Sequence, residues 1–210
     1  MKTKITIITM ALAFGLFACT GTSSKEASEE SNEAVEVVNS ETISYKINIE
    51  QSVVKWKGSM VGVYAHEGTI NIAEGFLTTN SDRISGGNFD IDLNTIVTTD
   101  DDALYEMAPR EKLIEHLKSD DFFGAKSYPK ANFIVKSVDG NVLTGDLTIK
   151  GVTNQETVTD VEMSQTEGTL SAIGTLVFDR QKYGVAYKNT MNDMVLSDNI
   201  EINISIVGEK

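Results

Sequence analysis

The residues that could carry chemistry in this 210-residue chain are few and widely separated. The two histidines, His66 and His116, are 50 positions apart and lie in no metal-binding spacing such as His-Glu-x-x-His. The three aspartates at 100–102 lack the glycine and the distal glutamate of a calcium loop, so we interpret them as a solvated turn. Asp179 and Arg180 favour a structural ion pair at a strand end over a catalytic pair. These residues predict no enzyme, no metal site and no cofactor.

The single cysteine, Cys19, points to lipid attachment, because one cysteine can form neither an intrachain disulfide nor a cysteine-rich metal site. A short basic start precedes the apolar run 5–17, which has the length of a signal-peptide core and is too short to span a bilayer. The run leads into Leu-Phe-Ala-Cys, which resembles the lipobox of bacterial lipoproteins. We therefore predict a signal peptide at 1–18 and acylation of Cys19. The alternative is an ordinary secretory signal with an incidental cysteine.

Residues 20–42 carry six glutamates and one lysine, many serines and no aromatic residue. This composition buries too little apolar surface to fold, so it predicts a flexible acidic tether over 19–42. An amphipathic helix from Ala27 to Val38 is the alternative. Several acyl chains on Cys19 would form a stable anchor. The sequence thus predicts an extracytoplasmic, membrane-anchored lipoprotein, in the periplasm or at the outer membrane or cell surface.

The net charge of the chain is −13, and its lysines and arginines form no cluster. Nucleic acids and anionic lipid surfaces both attract clustered basic residues. The charge therefore argues against nucleic acid as a partner, and the predicted membrane contact is through the lipid anchor.

Residues 43–210 form the predicted folded domain, because apolar and polar residues alternate there with the period of strands. Phe89, Ile91 and Leu93 alternate with polar residues in the clearest example. About eight strands can be distinguished, and one apolar face on each predicts antiparallel pairing. Turns are predicted at Gly86-Gly87, at Asp139-Gly140-Asn141 and at Glu167-Gly168.

Glycine falls on the apolar face of two predicted strands, at Gly145 and Gly174. Glycine inside a strand often marks a bend or a close approach, which suits a sheet curved around a cavity. These positions favour a closed barrel, and a sandwich with close packing is the alternative.

The stretch from Pro109 to Phe133 interrupts the strand pattern with helical spacing. Pro109 suits a first helical turn, and Leu113 and Leu117 form one apolar face. Phe122 and Phe123 follow the predicted end of this helix at 119–121. We predict a short α-helical lid between two groups of strands that closes one end of the barrel.

The order of several motifs resembles that of the YceI-like family over nearly all of residues 44–208. The motifs are Trp56, His66 before Gly68, Gly-Gly-x-Phe-x-Ile-Asp at 86–92, His-Leu-Lys-Ser-Asp-Asp-Phe-Phe at 116–123, Tyr128-Pro129 with Phe133, Gly-Asp-Leu-Thr-Ile-Lys-Gly-Val-Thr at 145–153, and Asp179-Arg180 before Tyr183-Gly184-Val185. The resemblance implies a lipocalin-like antiparallel barrel with an elongated apolar lumen and an extracytoplasmic location. Some members of the family bind a polyisoprenoid chain. Residues 188–194 form a predicted loop that departs from the family pattern.

In such a barrel the core and the wall of a binding pocket are the same surface. The aromatic residues predicted to line the pocket are Trp56, Phe89, Phe133 and Phe178. His66 and Arg180 are candidates to orient a polar or phosphate head group. The alternative role for His66 is structural, with its ring bonded to a backbone carbonyl, and His116 is interpreted as structural.

The leading functional hypothesis is a non-enzymatic, lipid-anchored carrier. It would hold a long apolar ligand, isoprenoid-like or quinone-like, in the lumen, in isoprenoid handling or envelope stress. The alternative is a structural or interaction module of the cell envelope whose barrel is a scaffold with a filled core. No constellation of residues supports a hydrolase or a redox enzyme.

Overall fold

The computed structural model describes residues 41–187 and 195–210. The predicted signal peptide, Cys19 and nearly all of the predicted tether lie outside the described residues, as does the predicted loop at 188–194. Nine strands, one α-helix and two 3₁₀ turns make up the secondary structure of the part that is described. The mainly β fold predicted from the alternation is confirmed.

The strands are numbered in chain order. They are β1 (Thr42–Ile47), β2 (Val53–Met60), β3 (Tyr64–Asn80), β4 (Arg83–Thr98), β5 (Lys130–Asp139), β6 (Val142–Ile149), β7 (Val152–Thr166), β8 (Thr169–Asp179) and β9 (Leu196–Glu209). The helix α1 spans Arg110–Lys118, and the 3₁₀ turns span Asp102–Tyr105 and Arg180–Tyr183.

All strand pairs are antiparallel, and the sheet closes on itself. The order is β3-β2-β9-β8-β7-β6-β5-β4, and β4 pairs back with β3 along most of its length. Closure gives the backbone groups of every barrel strand a partner on both sides, which leaves no long free edge. The predicted antiparallel barrel of eight strands is confirmed, with β1 as an extra strand.

The extra strand shares one barrel position with β2. Both β1 and β2 run antiparallel to β3 and to β9, β1 beside Phe76–Asn80 and β2 beside Tyr64–Ile70. The turn between them is held by Asn48, whose Oδ1 accepts hydrogen bonds from the backbone N–H groups of Glu50 and Gln51. The prediction of about eight strands omits β1, which begins at the last residue of the predicted tether.

The two ends of the barrel differ in structure. One end, here called the far end, has the tight turns at 81–82, 140–141 and 167–168. The opposite end, here called the helix end, has α1, both 3₁₀ turns and the turns at 61–63 and 150–151. The strand register places the start of β1 at the far end, because Thr42 pairs with Asn80.

A bulge in β7 keeps apolar residues on the inside of the barrel as the strand bends. Asp160 has a φ of 54°, and the register with β8 shifts between Thr159 and Glu162. The shift allows Val158 and Val161 to line the interior together. Without the bulge, two residues three positions apart in a strand would face opposite sides. Such a bulge bends the strand and increases its twist, which helps the sheet to close.

The predicted turn at Gly86-Gly87 is wrong, because both glycines lie inside β4. The chain reverses instead at Ser81-Asp82, where Ser81 has a φ of 56°. A Cβ on Gly87 would lie 3.0 Å from the Cδ1 atom of Leu77. This glycine thus makes room for a side chain of the neighbouring strand and does not form a turn.

Gly145 and Gly174 lie on the inner face of the barrel, as predicted, and both are buried. A Cβ on Gly145 would overlap the ring of Phe133, and a Cβ on Gly174 would lie 2.7 Å from the Cγ1 atom of Val158. Each glycine therefore accommodates a larger side chain from an adjacent strand, and Gly174 also lines the lumen.

The tightest glycine contact joins β2, β3 and β4. The indole N–H of Trp56 donates a 3.1 Å hydrogen bond to the carbonyl oxygen of Val97. A Cβ on Gly68 would overlap that same carbonyl oxygen and would lie 2.8 Å from the Cζ2 atom of Trp56. Gly68 thus leaves room for the indole beside the seam where β3 meets β4.

Substituting Gly68 with alanine is expected to destabilise the domain, since the new methyl group must displace backbone as well as the indole. We expect a loss of about 2–3 kcal/mol in the free energy of unfolding, and a Tm lower by about 5–10 °C. The control is Gly58→Ala, because a Cβ there would meet only the Cδ1 atom of Ile200 at 3.6 Å. Thermal unfolding followed by circular dichroism compares the two variants, and equal Tm values would contradict the assigned contact.

Candidate functional site

The barrel encloses a cavity of about 330 Å³. It is lined by inward-facing side chains from all eight barrel strands and from α1 and the segment that follows it. Among the described residues, none of the side chains in this lining is an aspartate, glutamate, lysine or arginine. The interior is therefore an apolar lumen and not a fully filled core.

Five of the six predicted ligand-binding residues line this lumen. They are Trp56, His66, Phe89, Phe133 and Phe178. Trp56 and Phe178 are buried at 8% and 4% exposure, whereas Phe89, Phe133 and His66 are partly buried. The structure thus brings the predicted aromatic residues together around one space, although they come from five different strands.

Arg180, the sixth predicted ligand residue, does not line the lumen. Its buried guanidinium donates hydrogen bonds to the carbonyl oxygens of Val185 and Ser197, the latter at 3.0 Å, and forms an ion pair with Asp198 at 3.0 Å. Asp179, its expected partner, instead caps the second 3₁₀ turn by accepting from the N–H of Gln181. Arg180 therefore joins the end of β8 to the start of β9.

The predicted helical lid lies at the helix end. Pro109 lies just before the helix as its N-cap residue, and its carbonyl accepts a hydrogen bond from the N–H of Lys112. The helix ends at Lys118, with Ser119 as the C-cap residue. Of its apolar face, Leu113 and Leu117 line the lumen, as do Phe122 and Phe123 from the turn that follows. The position of the lid is confirmed.

His116, a residue of the lid helix, belongs to an aromatic cluster at the helix end. Its ring makes edge contacts with Phe122 and Tyr187, with centroids 5.0 Å and 4.5 Å apart. Phe123 extends the cluster from Phe122. His116 and Tyr187 also line the lumen, so this cluster forms part of the wall at the helix end.

The far end of the barrel is filled by side chains. Tyr45, Leu170 and Thr79 are almost completely buried there and do not line the lumen. The hydroxyl of Tyr45 donates to the side-chain carbonyl of Gln165, which fixes the phenol across this end. The polar groups that face the lumen therefore lie at the helix end.

His66 is held by a carboxylate and not by a backbone carbonyl. Its Nδ1 atom lies 2.7 Å from Oδ2 of Asp100, and its ring stacks on Tyr105 with centroids 5.4 Å apart. The Tyr105 hydroxyl donates to Oδ1 of the same carboxylate. Asp100 thus connects β3 to the segment that leads into the lid.

Asp100 is also not part of a solvated turn, because its side chain is only 5% exposed. Nη1 of Arg110 donates to its Oδ1 at 3.1 Å, and the N–H of Glu67 donates to its Oδ2 at 3.2 Å. Burial acts to raise the pKa of Asp100, but the hydrogen bonds from Tyr105, His66 and Glu67 outweigh it and hold the pKa below its ordinary value. Burial and the bond to Asp100 raise the pKa of Tyr105.

The described part of the chain contains no candidate metal cluster and no candidate membrane-spanning helix. No group of three or more His, Cys, Asp or Glu side chains there is placed to hold a metal ion. No helix among residues 41–187 and 195–210 is both long enough and apolar enough to cross a membrane.

Residues 45–208 match the YceI-like domain, which is more than three quarters of the chain. The chain belongs to the YceI-like domain family. The family resemblance seen in the spaced motifs is thereby confirmed.

Relatives of this YceI-like chain include UPF0312 proteins of Staphylococcus aureus. The protein of strain USA300 is 42% identical over 86 residues, which is 36% of this chain and 48% of that protein. The protein of strain RF122 is 43% identical over the same length. The chain spans about half the length of the curated relatives it matches.

Two solved structures have the same fold as this YceI-like domain. Burkholderia cenocepacia BcnA has a TM-score of 0.62 and 22% identity, and the match covers 77% of this chain and 98% of that one. A polyisoprenoid binding domain from Saccharophagus degradans, implicated in plant cell wall breakdown, has a TM-score of 0.55 and 13% identity, covering 79% and 97%. At these identities the likeness concerns the fold.

Sequence reasoning missed the cluster around Asp100. Tyr105 and Arg110 lie in the irregular segment that precedes the lid, and nothing in their spacing predicts a contact with β3. The one available signal was the position of three aspartates directly after the end of a strand, before a tyrosine and an arginine.

Replacing Asp100 with asparagine is expected to lower the free energy of unfolding by about 2 kcal/mol near neutral pH, because buried donors lose a charged acceptor. The folded-state pKa of Asp100 is below its ordinary value of 3.8. The unfolded chain therefore binds more protons just below pH 3.8, and the stabilisation by this carboxylate is complete above that pH and is lost as the pH falls. Urea unfolding across pH should show the difference between wild type and variant shrinking in acid; a constant difference would contradict this.

Replacing Arg180 with lysine is expected to destabilise the domain without changing the lumen. A single ammonium cannot reach the carbonyls of Val185 and Ser197 with the geometry of a planar guanidinium, so we expect a loss of about 2–3 kcal/mol. Arg83→Lys is the matched control, because Arg83 is exposed and forms no ion pair within the described residues. Thermal unfolding measures the loss, and a variant as stable as the wild type would contradict the structural role.

Proposed function

We propose that this YceI-like chain is a non-enzymatic carrier that holds a long apolar molecule, isoprenoid-like or quinone-like, in the barrel lumen. One observation supports this most strongly. The described residues enclose a cavity of about 330 Å³ whose lining has no acidic or basic side chain. Ligand pockets typically have volumes of about 300–1,000 Å³ and a mostly apolar lining.

The length of the lumen suits an extended chain. Its lining reaches from Leu77 and Ile84 near the far end to Met60 and Leu196 at the helix end. A molecule that lies along it exchanges contact with water for contact with aliphatic and aromatic side chains. Each Å² of apolar surface removed from water contributes about 25 cal/mol, less the cost of ordering a flexible chain.

Trp56, Phe89, Phe133 and Phe178 form the proposed wall, and His66 is the proposed polar contact. Arg180 is not included, because its guanidinium is bonded outside the lumen. The ligand class also follows the solved YceI-like domain from Saccharophagus degradans, which is described as polyisoprenoid binding. The same fold in this chain supports a ligand of that class.

The open lumen also separates this proposal from the alternative of an envelope scaffold. A scaffold with a filled core requires side chains that fill the interior. Tyr45 and Leu170 are buried at the far end, whereas the lining residues of the described chain surround a cavity of about 330 Å³. A role in isoprenoid handling or envelope stress remains part of the carrier proposal.

The proposed location is extracytoplasmic, with the barrel attached to a membrane by acyl chains on Cys19. This part of the proposal depends on the sequence alone. Mass spectrometry of the N-terminal peptide from the full chain, expressed in a bacterium that processes lipoproteins, should find diacylated or triacylated Cys19. Cys19→Ser should move the protein from the membrane fraction to the supernatant, and an unmodified wild-type cysteine would contradict the anchor.

Lumen binding can be measured with the only tryptophan of the chain, Trp56, which lines the cavity. The purified, delipidated protein should take up retinol, a fluorescent isoprenoid alcohol, and transfer excitation energy from the indole to the polyene. Ala172→Phe, which directs a ring into the lumen, should weaken uptake at least tenfold.

The matched control is Ser171→Phe on the same strand, because Ser171 is exposed whereas Ala172 is buried and lines the cavity. This variant should bind retinol as the wild type does. No uptake by folded wild-type protein, together with native mass spectra free of lipid, would overturn the carrier proposal.

A further inference from the structure

Polar side chains are rare in the lumen, and they are concentrated at its helix end. Apart from the indole of Trp56, whose N–H is bonded to Val97, the side chains with polar atoms in the described lining are two histidines and two tyrosines. They are Tyr64, His66, His116 and Tyr187. A ligand with one polar group should therefore place that group at the helix end, with its chain toward the far end.

Only one of these side chains has a defined hydrogen-bonding direction. An ionised carboxylate accepts hydrogen bonds and donates none, so the proton between His66 and Asp100 belongs to Nδ1 of the imidazole. Arg110 and Tyr105 bind the other carboxylate oxygen and keep Asp100 in place. In the neutral ring, Nε2 then has a lone pair and no proton.

Within residues 41–187 and 195–210, no side chain or backbone group is hydrogen-bonded to Nε2 of His66. The ring is nevertheless partly buried, with 17% of the side chain exposed, and it lines the lumen. Among the described residues, Nε2 is not one of the fully buried polar atoms that lack a partner, so it is accessible, and its lone pair is placed to accept a hydrogen bond from a bound molecule.

We infer that His66 is the head-group residue of the lumen and that the ligand has a neutral head with a hydroxyl donor, such as a prenol or a hydroquinone. Asp100 is a positioning residue, which fixes the imidazole tautomer and thereby selects a donor on the ligand. This inference depends on the lumen-binding function proposed above and adds the class of head group.

The charges around the mouth disfavour an anionic head. The only guanidinium in the cluster, that of Arg110, is already paired with Asp100 and with Asp102 at 2.6 Å. The described lining has no lysine or arginine that could neutralise a diphosphate. A diphosphate would lose its hydration beside two carboxylates without gaining a free cation, which is unfavourable.

His116 serves as the internal comparison. It lines the same end of the lumen, but within residues 41–187 and 195–210 no carboxylate is bonded to its ring, which instead makes edge contacts with Phe122 and Tyr187. The structure therefore gives no fixed acceptor at His116, and its substitution should change lumen shape more than head-group preference.

Competition against bound retinol tests the head-group class. The competitors are geranylgeraniol, its methyl ether and geranylgeranyl diphosphate, measured on the delipidated full chain at mildly alkaline pH, where imidazole is neutral. The ether has the same isoprenoid chain without a donor. The alcohol should bind about fivefold to tenfold more tightly than the ether, and the diphosphate should bind most weakly.

His66→Phe should bind the ether as the wild type does and should lose the preference for the alcohol. His116→Phe should keep that preference. Asp100→Asn can present an N–H to Nδ1 and thus favour the tautomer with the proton on Nε2, as in a catalytic triad whose aspartate is changed to asparagine. This variant should lose or reverse the preference for the alcohol.

The tautomer can also be read directly. The chain has only two histidines, so ¹⁵N NMR of labelled imidazoles gives two sets of ring-nitrogen signals. The spectrum of His116→Phe assigns each set to its residue. We expect the Nδ1–H tautomer at His66 in the wild type and a shift toward Nε2–H in Asp100→Asn. This measurement does not depend on the folding of a His66 variant.

The outcomes separate this inference from the carrier proposal. If retinol, the alcohol and the ether all fail to bind, the carrier proposal fails and the head-group inference fails with it. If alcohol and ether bind equally, if the diphosphate binds most tightly, or if wild-type His66 is the Nε2–H tautomer, only the head-group inference is overturned.

Discussion

The pairing of β3 with β4 is the constraint on which the rest of the molecule depends. These are the two longest strands, and their contact converts a curved sheet into a closed barrel. Their register shifts at three places, and each shift changes which residues face inward. The largest shift lies between Thr69 and Asn71 and leaves four residues of β4, from Leu93 to Ile96, without a strand partner on β3. Leu93 and Ile96 can therefore both line the lumen.

The closure of the barrel and the wall of the lumen meet at the helix end of this seam. β4 ends at Thr98, and two residues later Asp100 turns back to His66 on β3. The same carboxylate forms an ion pair with Arg110, the first residue of α1. One buried anion therefore fixes the end of the sheet, the orientation of a lumen-lining imidazole and the start of the lid. A change in this carboxylate should affect all three together, because they share its two oxygen atoms.

Much of the fold could be predicted from the sequence, because the period-two alternation directly reports which face of each strand is buried. Phe89, Phe133 and Phe178 line one space for this reason, although no local pattern relates them. The helix was recognisable from Leu113 and Leu117. By contrast, the sequence predicts a turn at Gly86-Gly87, because sequence alone does not distinguish a glycine that makes room for a neighbouring side chain from a glycine that reverses the chain.

The errors at the site have a common physical origin. Arg180 and Asp100 are charged residues in irregular segments, and the sequence shows a charge without showing its partner. The sequence predicts that Arg180 faces a ligand, but its guanidinium donates hydrogen bonds to the carbonyls of Val185 and Ser197. Asp100 was expected to face water, but Tyr105, Arg110 and His66 converge on it. Such contacts are set by the geometry of closure, which is a property of the whole barrel.

The position of β1 places the N-terminal connection of the domain at one end of the barrel. β1 begins and β9 ends at the far end, where Tyr45 and Leu170 fill the interior, while His66 and the lid lie at the opposite pole. Any attachment made through the chain ahead of β1 therefore joins the barrel at its sealed pole. The pole with His66 and the lid stays free of that attachment. Under the proposed function, membrane attachment and ligand exchange would therefore take place at opposite ends of the barrel.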